Sequence, residues 1–158
     1  MNIPCDMLVF GGTGDLALHK LLPALYHLHR EGRLPAVMRI HVAAINDLQR
    51  NAYLSLAERH CRAQVARSEF ATETWASFAE RIDYFSMDLS QSAEFARLAK
   101  FLGHSCQRGR VYYLATAPDL FEPIAEHLHN AGLAGANTRI VLEKPIGHDL
   151  ASSRDILD

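Results

Sequence analysis

The chain of 158 residues is short of several things, and each shortage excludes a class of protein. It has only three cysteines, Cys5, Cys61 and Cys106, an odd number with no C-x-x-C spacing. That argues against a disulfide framework and against a thiolate zinc site. It has no long apolar run, so no segment is expected to span a bilayer. Residues Met1 to Asp6 carry neither a basic nor a long apolar stretch, so no secretory signal is expected, and the expected location is cytoplasmic. The formal net charge is only -2, with 16 basic against 18 acidic residues, and no basic arm stands out. A nucleic-acid footprint is therefore not expected, nor a membrane-surface one. Nine histidines are present, but pairs such as His27/His29 and His127/His129 lie two apart. Ligands on one helix need a spacing of three or four, so no metal site is expected.

What is present is alternation. Short apolar runs at Asp6–Phe10, Arg39–Ile45, Arg81–Ser86, Arg110–Ala115 and Thr138–Leu142 read as buried strands. Between them lie helical stripes. Leu16 to Arg30 carries leucines at helical spacing, and Pro23 must either kink that helix or begin it. Asp47 can cap a helix running to about Arg67. Ser90 or Ser92 can cap another through Leu102, where Gly103 stops it. Pro118 to Asn130 reads as helix ended by Ala131-Gly132, and Leu150 to Asp158 as the start of one more. Strand followed by helix, repeated, is the signature of an α/β fold: a doubly wound, Rossmann-like parallel sheet in three layers, here one domain over residues 1–158.

The first strand runs into Gly11-Gly12-Thr13-Gly14-Asp15-Leu16-Ala17. Glycines there allow a tight turn and let a phosphate approach the backbone, while the following helix offers free N–H groups and its positive end to a pyrophosphate. Ala17 stands where a third small residue permits close helix–strand packing. The pattern points to a dinucleotide, and the absence of a following Gly-Lys-Ser/Thr excludes a P-loop. Asp15 either contacts ligand or, being repelled by a diphosphate, serves the helix start. Glu143-Lys144-Pro145 follows the last strand, which puts Lys144 at the ligand edge of the sheet, either as a ligand contact or as a solvated charge. Pro145 restricts Lys144 to extended backbone, and the bond between them is of the kind that can be cis.

These motifs together resemble the coenzyme domain of the glucose-6-phosphate dehydrogenase family. Gly11-x-x-Gly14-Asp15-Leu16-Ala17 with Lys20-Leu-Leu-Pro-Ala-Leu-Tyr26, then Tyr113-Leu-Ala-Thr-Ala-Pro118, then Glu143-Lys-Pro-Ile-Gly-His-Asp-Leu150 occur in that family's order. The resemblance implies that Gly11, Gly12, Thr13, Gly14, Asp15, Leu16 and Ala17 hold the diphosphate of NADP. It implies that Asp88 and Leu89 lie on the adenosine side and Tyr113 and Ala115 beside ribose and nicotinamide. Lys144 would touch both cofactor and glucose 6-phosphate, whose oxidation at C1 to the lactone needs a base and a hydride acceptor.

Three departures qualify the resemblance. The family's catalytic histidine sits in an R-I-D-H-Y segment after the E-K-P motif, and no such segment occurs here. No catalytic residue is therefore expected in this chain, and the fragment alone is expected to be inactive. Arg81-Ile82-Asp83-Tyr84 imitates its opening letters but reads as a buried strand, and His148 matches a variable position. The family's arginine after the second strand, which holds the 2′-phosphate, is replaced by Ile45 or Asn46. Asp47 follows; it suits a ribose hydroxyl or a helix cap, which leaves NAD possible, and Arg50 is the candidate substitute anchor. Ala117 replaces the first proline of a Pro-Pro pair. The domain expected to follow would bring the base and the surface through which the family forms homo-oligomers. The alternative is a stand-alone nucleotide-binding or regulatory module. A short-chain dehydrogenase or epimerase is disfavoured, since no Tyr-x-x-x-Lys pair is present.

Overall fold

The computed structural model describes residues 4–103 and 108–143. Cys106, Lys144, Pro145, His148 and the helix expected over Leu150–Asp158 lie outside the described residues. Five strands form one parallel sheet: β1 (Cys5–Phe10), β2 (Ile40–Ala44), β3 (Ile82–Ser86), β4 (Gly109–Leu114) and β5 (Thr138–Leu142), in the order β3-β2-β1-β4-β5. The order reverses direction at β1, so the crevice between the carboxyl ends of β1 and β4 is the topological switch point. β1 pairs with β2 through Val9↔Val42 and with β4 through Val9↔Tyr113.

Side chains alternate across each strand, and both faces are covered. Val9, Val42 and Ile82 face α1 (Leu22–Arg30), α2 (Arg50–Gln64) and α3 (Thr72–Ala79). Leu8, Phe10, Tyr112 and Leu114 face α4 (Ser92–Leu102) and α5 (Phe121–Asn130). Phe10 is fully buried, with ring centroids 5.9 Å from Phe95 and 6.2 Å from Tyr112. Burial of each such side chain contributes roughly 1.5–3 kcal/mol. Among the described residues no helix is long and apolar enough to cross a membrane.

The helix after the glycine turn departs from a plain α-helix. Leu16–Leu21 is π-helical and runs straight into α1, with Pro23 in the first turn of the latter. Pro23 has no N–H to give the carbonyl four residues back, so the regular ladder is interrupted just where the helix changes type. Of the two outcomes the proline allowed, the α-helix begins there.

Two expected caps are not formed. Asp47 does not cap α2: the cap position is Gln49, without a side-chain cap bond, and the helix ends at Gln64 rather than near Arg67. Neither Ser90 nor Ser92 caps α4, whose cap position is Gln91. Gly103 does end α4, at φ 72°, and Ala131-Gly132 ends α5, with Gly132 at φ 73°.

α3 has no counterpart in the sequence reading. It is eight residues long, and its buried residues are Trp75 and Phe78. They join Tyr26 and Phe70 in an aromatic cluster, with Tyr26 stacked on Phe70 at 5.2 Å and Trp75 edge-on to Phe78 at 5.6 Å. Tertiary packing holds a helix too short to form alone.

Candidate dinucleotide site

The carboxyl end of β1 turns at Gly11, whose φ is 81°. A Cβ there would also fall 2.5 Å from the carbonyl oxygen of Ala115, and one on Gly12 would fall 1.9 Å from Cγ1 of Val42. Both glycines are therefore required by the turn itself. At Gly14 the nearest atom to a Cβ is 3.4 Å away, so the requirement there is weaker. The amides of Gly11 and Gly12 donate to the Ala43 carbonyl at 2.9 and 3.2 Å, which anchors the turn to β2. From α2, the buried Tyr53 hydroxyl donates to the Gly12 carbonyl at 2.8 Å. Burial raises the pKa of Tyr53, first by desolvation and then through Tyr84, so the phenol stays a donor. Ala17 is fully buried against the sheet, as its small size suggested.

The turn opens on a cleft of about 340 Å³ lined by Gly11, Thr13, Gly14, Ala44, Ile45, Asp88, Leu89, Ser90, Ala115, Thr116, Ala117 and Leu120. It gathers the ends of β1, β2, β3 and β4, so residues expected from four separate motifs share one wall. Thr13 is tied to the β2 end by a 2.7 Å hydrogen bond from its hydroxyl to Oδ1 of Asn46. Asp88 accepts from the Ser90 amide at 2.9 Å and the Ser90 hydroxyl at 2.7 Å. Those bonds lower its pKa, so it is a carboxylate at neutral pH.

Tyr113 is nearly buried, and its hydroxyl donates to Oε1 of Glu143. Desolvation first, then the Glu143 carboxylate, push its pKa up to about 12. It can hand a hydrogen bond to a neighbour but cannot act as a base near neutrality.

Two expected site residues stand differently. Asp15 occupies the cap position of the helix, but its exposed side chain makes no cap bond. Its favourable role there reduces to the field of the helix end. Arg50 does not face the cleft. Its guanidinium donates to the carbonyls of Ile82 at 2.7 Å and Ala79 at 2.8 Å and lies 3.5 Å from Asp83. β3 is an edge strand, and Arg50 satisfies carbonyls that have no neighbouring strand. Asp47 and Asn46 remain exposed at the β2 end. Arg81-Ile82-Asp83 is structural, with Arg81 donating to Pro35 at 2.7 Å and Asp83 paired with Arg39 at 2.6 Å.

The sequence reading missed Thr116. Its hydroxyl is buried, has no hydrogen-bond partner among the described residues, and belongs to a residue lining the cleft. Only its place beside Ala115 could have signalled it.

A nucleotide fits these residues: a strand–glycine turn–helix unit, an apolar cleft at the switch point, and an unpartnered hydroxyl on one of the residues lining it. The class is thus a dinucleotide-binding α/β domain. The family model described as "Glucose-6-phosphate dehydrogenase, NAD binding domain" matches residues 8–158. The chain belongs to the glucose-6-phosphate dehydrogenase family, as a member of its N-terminal, nicotinamide-dinucleotide-binding domain. It is 40% identical over 155 residues to glucose-6-phosphate 1-dehydrogenase of Rhizobium meliloti, covering 98% of this chain and 32% of that protein. Against the same-named protein of Mycolicibacterium smegmatis the identity is 40% over 157 residues, 97% of this chain and 32% of the relative. The crystal structure of the Mycobacterium avium protein superposes with a TM-score of 0.89 at 32% identity, covering 99% of this chain and 33% of that one. The chain spans about a third of the length of these relatives.

Proposed function

We propose that this chain supplies the coenzyme half of an oxidation of glucose 6-phosphate at C1 to the lactone, with NADP+ as hydride acceptor. The observation that carries the reading is the glycine turn opening on the switch-point cleft, which is lined by Thr116, a residue whose buried hydroxyl has no partner among the described residues. The turn from Gly11 to Ala17 binds the diphosphate through the Thr13 amide, the amides of the helix start and the helix end, with no cation required, since the Gly11, Gly12 and Gly14 amides are engaged by the Ala43 and Gly11 carbonyls. Asp88 and Leu89 border the adenosine side, and Tyr113 and Ala115 the nicotinamide side. Glu143 fixes the Tyr113 phenol as a neutral donor beside the last strand. Lys144, next in sequence, is proposed to bridge cofactor and sugar phosphate. When bound, the nicotinamide supplies the hydride-accepting carbon.

Of the residues lining the cleft only Asp88 is titratable, and it is held ionised by Ser90. The base that removes the sugar's hydroxyl proton is therefore assigned to a segment outside the described residues. A second reading, NAD+ as acceptor, is favoured by the exposed Asp47 and by the engagement of Arg50 along β3. An acidic residue at that place suits a ribose 2′-hydroxyl and repels a 2′-phosphate.

Calorimetric titration with NADP+ and with NAD+ tests both readings; Trp75 lies in the aromatic cluster of α3, so its fluorescence is a poor reporter of the cleft. Saturable binding of either dinucleotide supports the site, and their order assigns the acceptor. Thr116→Val keeps the shape and removes one hydrogen-bonding group. It is expected to weaken dinucleotide binding roughly two- to tenfold while leaving stability equal or slightly higher. A folded protein that binds neither dinucleotide overturns the proposal.

A further inference from the structure

Away from the cleft, two imidazoles meet. His19 lies in the π-helical segment and His60 in α2. Nε2 of His19 stands 2.9 Å from Nδ1 of His60, with ring centroids 4.8 Å apart and planes inclined at 39°. Both side chains are half-buried, so solvent reaches the pair, and neither lines the dinucleotide cleft.

We propose that His19 and His60 form a bidentate site for a divalent transition cation that favours imidazole, such as Zn²⁺, Ni²⁺ or Cu²⁺. Metal–nitrogen bonds of about 2.0–2.1 Å, meeting at an angle between square and tetrahedral, place two nitrogens roughly 2.9–3.4 Å apart. The rings already stand at the short end of that range. Binding exchanges one ring–ring hydrogen bond for two metal–nitrogen bonds. The donor ring moves its proton to its other nitrogen, so two neutral rings release no net proton. Among the described residues no third His, Cys, Asp or Glu joins the pair, so water fills the remaining positions and the site is open.

The spacing argument from sequence considers ligands on one helix. This pair is 41 residues apart and is made by packing of the π-helical segment on α2. π-Helical turns recur at functional sites because the extra residue re-aims side chains. Here the π-helical segment contains the buried Ala17, and α2 carries the Tyr53 that holds the Gly12 carbonyl. A bound cation would fasten together the two elements that support the glycine turn.

Calorimetric titration of the chelator-treated protein with ZnCl₂ tests the site. The expected result is one equivalent bound, with affinity falling roughly tenfold or more in His19→Ala and in His60→Ala, because each loses the second, tethered ligand. His129→Ala, at an exposed position on α5, is expected to leave the affinity unchanged. His60→Gln retains a hydrogen-bonding side chain and serves if the alanine variant fails to fold; it is expected to lose the site equally. With Cu²⁺, the nitrogen splitting in the paramagnetic resonance spectrum should report two imidazoles, and one in either variant. Unchanged Zn²⁺ affinity in folded His19 and His60 variants, or no Zn²⁺ binding at all, overturns the proposal.

Discussion

The two ends of the sheet solve the same problem in opposite ways. At the amino end the strands carry charge, and the charges answer one another. Asp6 on β1 accepts from Arg108 Nε at 2.9 Å, Arg39 donates to Asp83 at 2.6 Å, and Arg50 reaches the same carboxylate and the carbonyls around β3. At the carboxyl end the strands finish in Ala44, Ala115 and glycines, and the cleft they line has Asp88 as its single titratable member. One end is closed by its own ion pairs. The other leaves an open cavity, with a buried, unpartnered hydroxyl on Thr116, one of the residues that line it. A polar group satisfied within the fold contributes to stability, whereas one left without a partner invites a ligand. Damage at the amino end should therefore appear as lost stability, and damage at the carboxyl end as lost binding.

The largest expected effect breaks that division, because the glycine turn belongs to both. Gly11→Ala places a methyl 2.5 Å from a backbone oxygen at a φ of 81°. The strand pairing of β1 and β4 leaves that oxygen little room to retreat, and a loss of about 3 kcal/mol or more is expected, with dinucleotide binding abolished. Gly14→Ala meets only ordinary contact at 3.4 Å and should cost under about 1 kcal/mol. Denaturant unfolding of both variants checks the pair. Equal losses would show that the turn is not braced against β4 in the way described.

How far these ends were legible in sequence follows the same line. The five strands and the glycine turn were readable because periodicity and glycine spacing are local signals, and Ala17 announced its packing by size alone; the order of the strands in the sheet was not. Asp47 was misread for the same reason. A capping residue at the right spacing is a local signal, but the chain bends at Ile45-Asn46, the Leu48 amide bonds back to the Asn46 carbonyl, and α2 begins only after an extended Gln49. Arg50 was legible as a cation near the β2 end but not in its direction, because the bare edge of β3 that captures it exists only after the sheet forms. The short α3 is likewise held by packing on distant segments rather than by a local signal, and the His19–His60 contact joins residues 41 apart that no short window of sequence contains.

A middle-sized effect sharpens the comparison at the amino end. Asp6 is mostly buried, with 14% of its side chain exposed, and accepts from both Arg108 and the Arg39 amide. Asp6→Ala leaves Arg108 without its carboxylate partner in a partly buried place. The expected loss is about 2–3 kcal/mol, toward the lower end because Arg108 retains some exposure and its bond to the Val37 carbonyl. Dinucleotide affinity, measured by calorimetry under conditions where the variant is folded, should stay within about twofold of the parent, a difference of under roughly 0.5 kcal/mol. A tenfold loss would mean that the two ends are coupled through β1 rather than separate.

The smallest effect concerns a weak point of the amino end. His41, on β2, is 12% exposed in its side chain, and its Nδ1 is buried without a hydrogen-bond partner among the described residues. Asp83 stands 3.7 Å away, beyond hydrogen-bond reach. Desolvation outweighs the pull of Asp6 and Asp83, Arg39 and Arg110 add repulsion, and the pKa of His41 is lowered below its ordinary value of 6.5. The sign follows directly. Below about 6.5 the unfolded chain binds a proton that the folded one refuses, so stability is full above that pH and falls as pH drops toward the folded pKa. His41→Phe keeps an aromatic ring against Phe101, whose centroid lies 5.8 Å away, and removes the titration. Its stability should therefore decline less steeply than the parent's as pH falls below 6.5. His29, also lowered by burial and by Arg81, adds to the slope in the same direction and is untouched by this substitution. Parallel acid slopes in parent and variant would show that His41 accepts its proton as readily folded as unfolded, and that the amino end has answered this charge too.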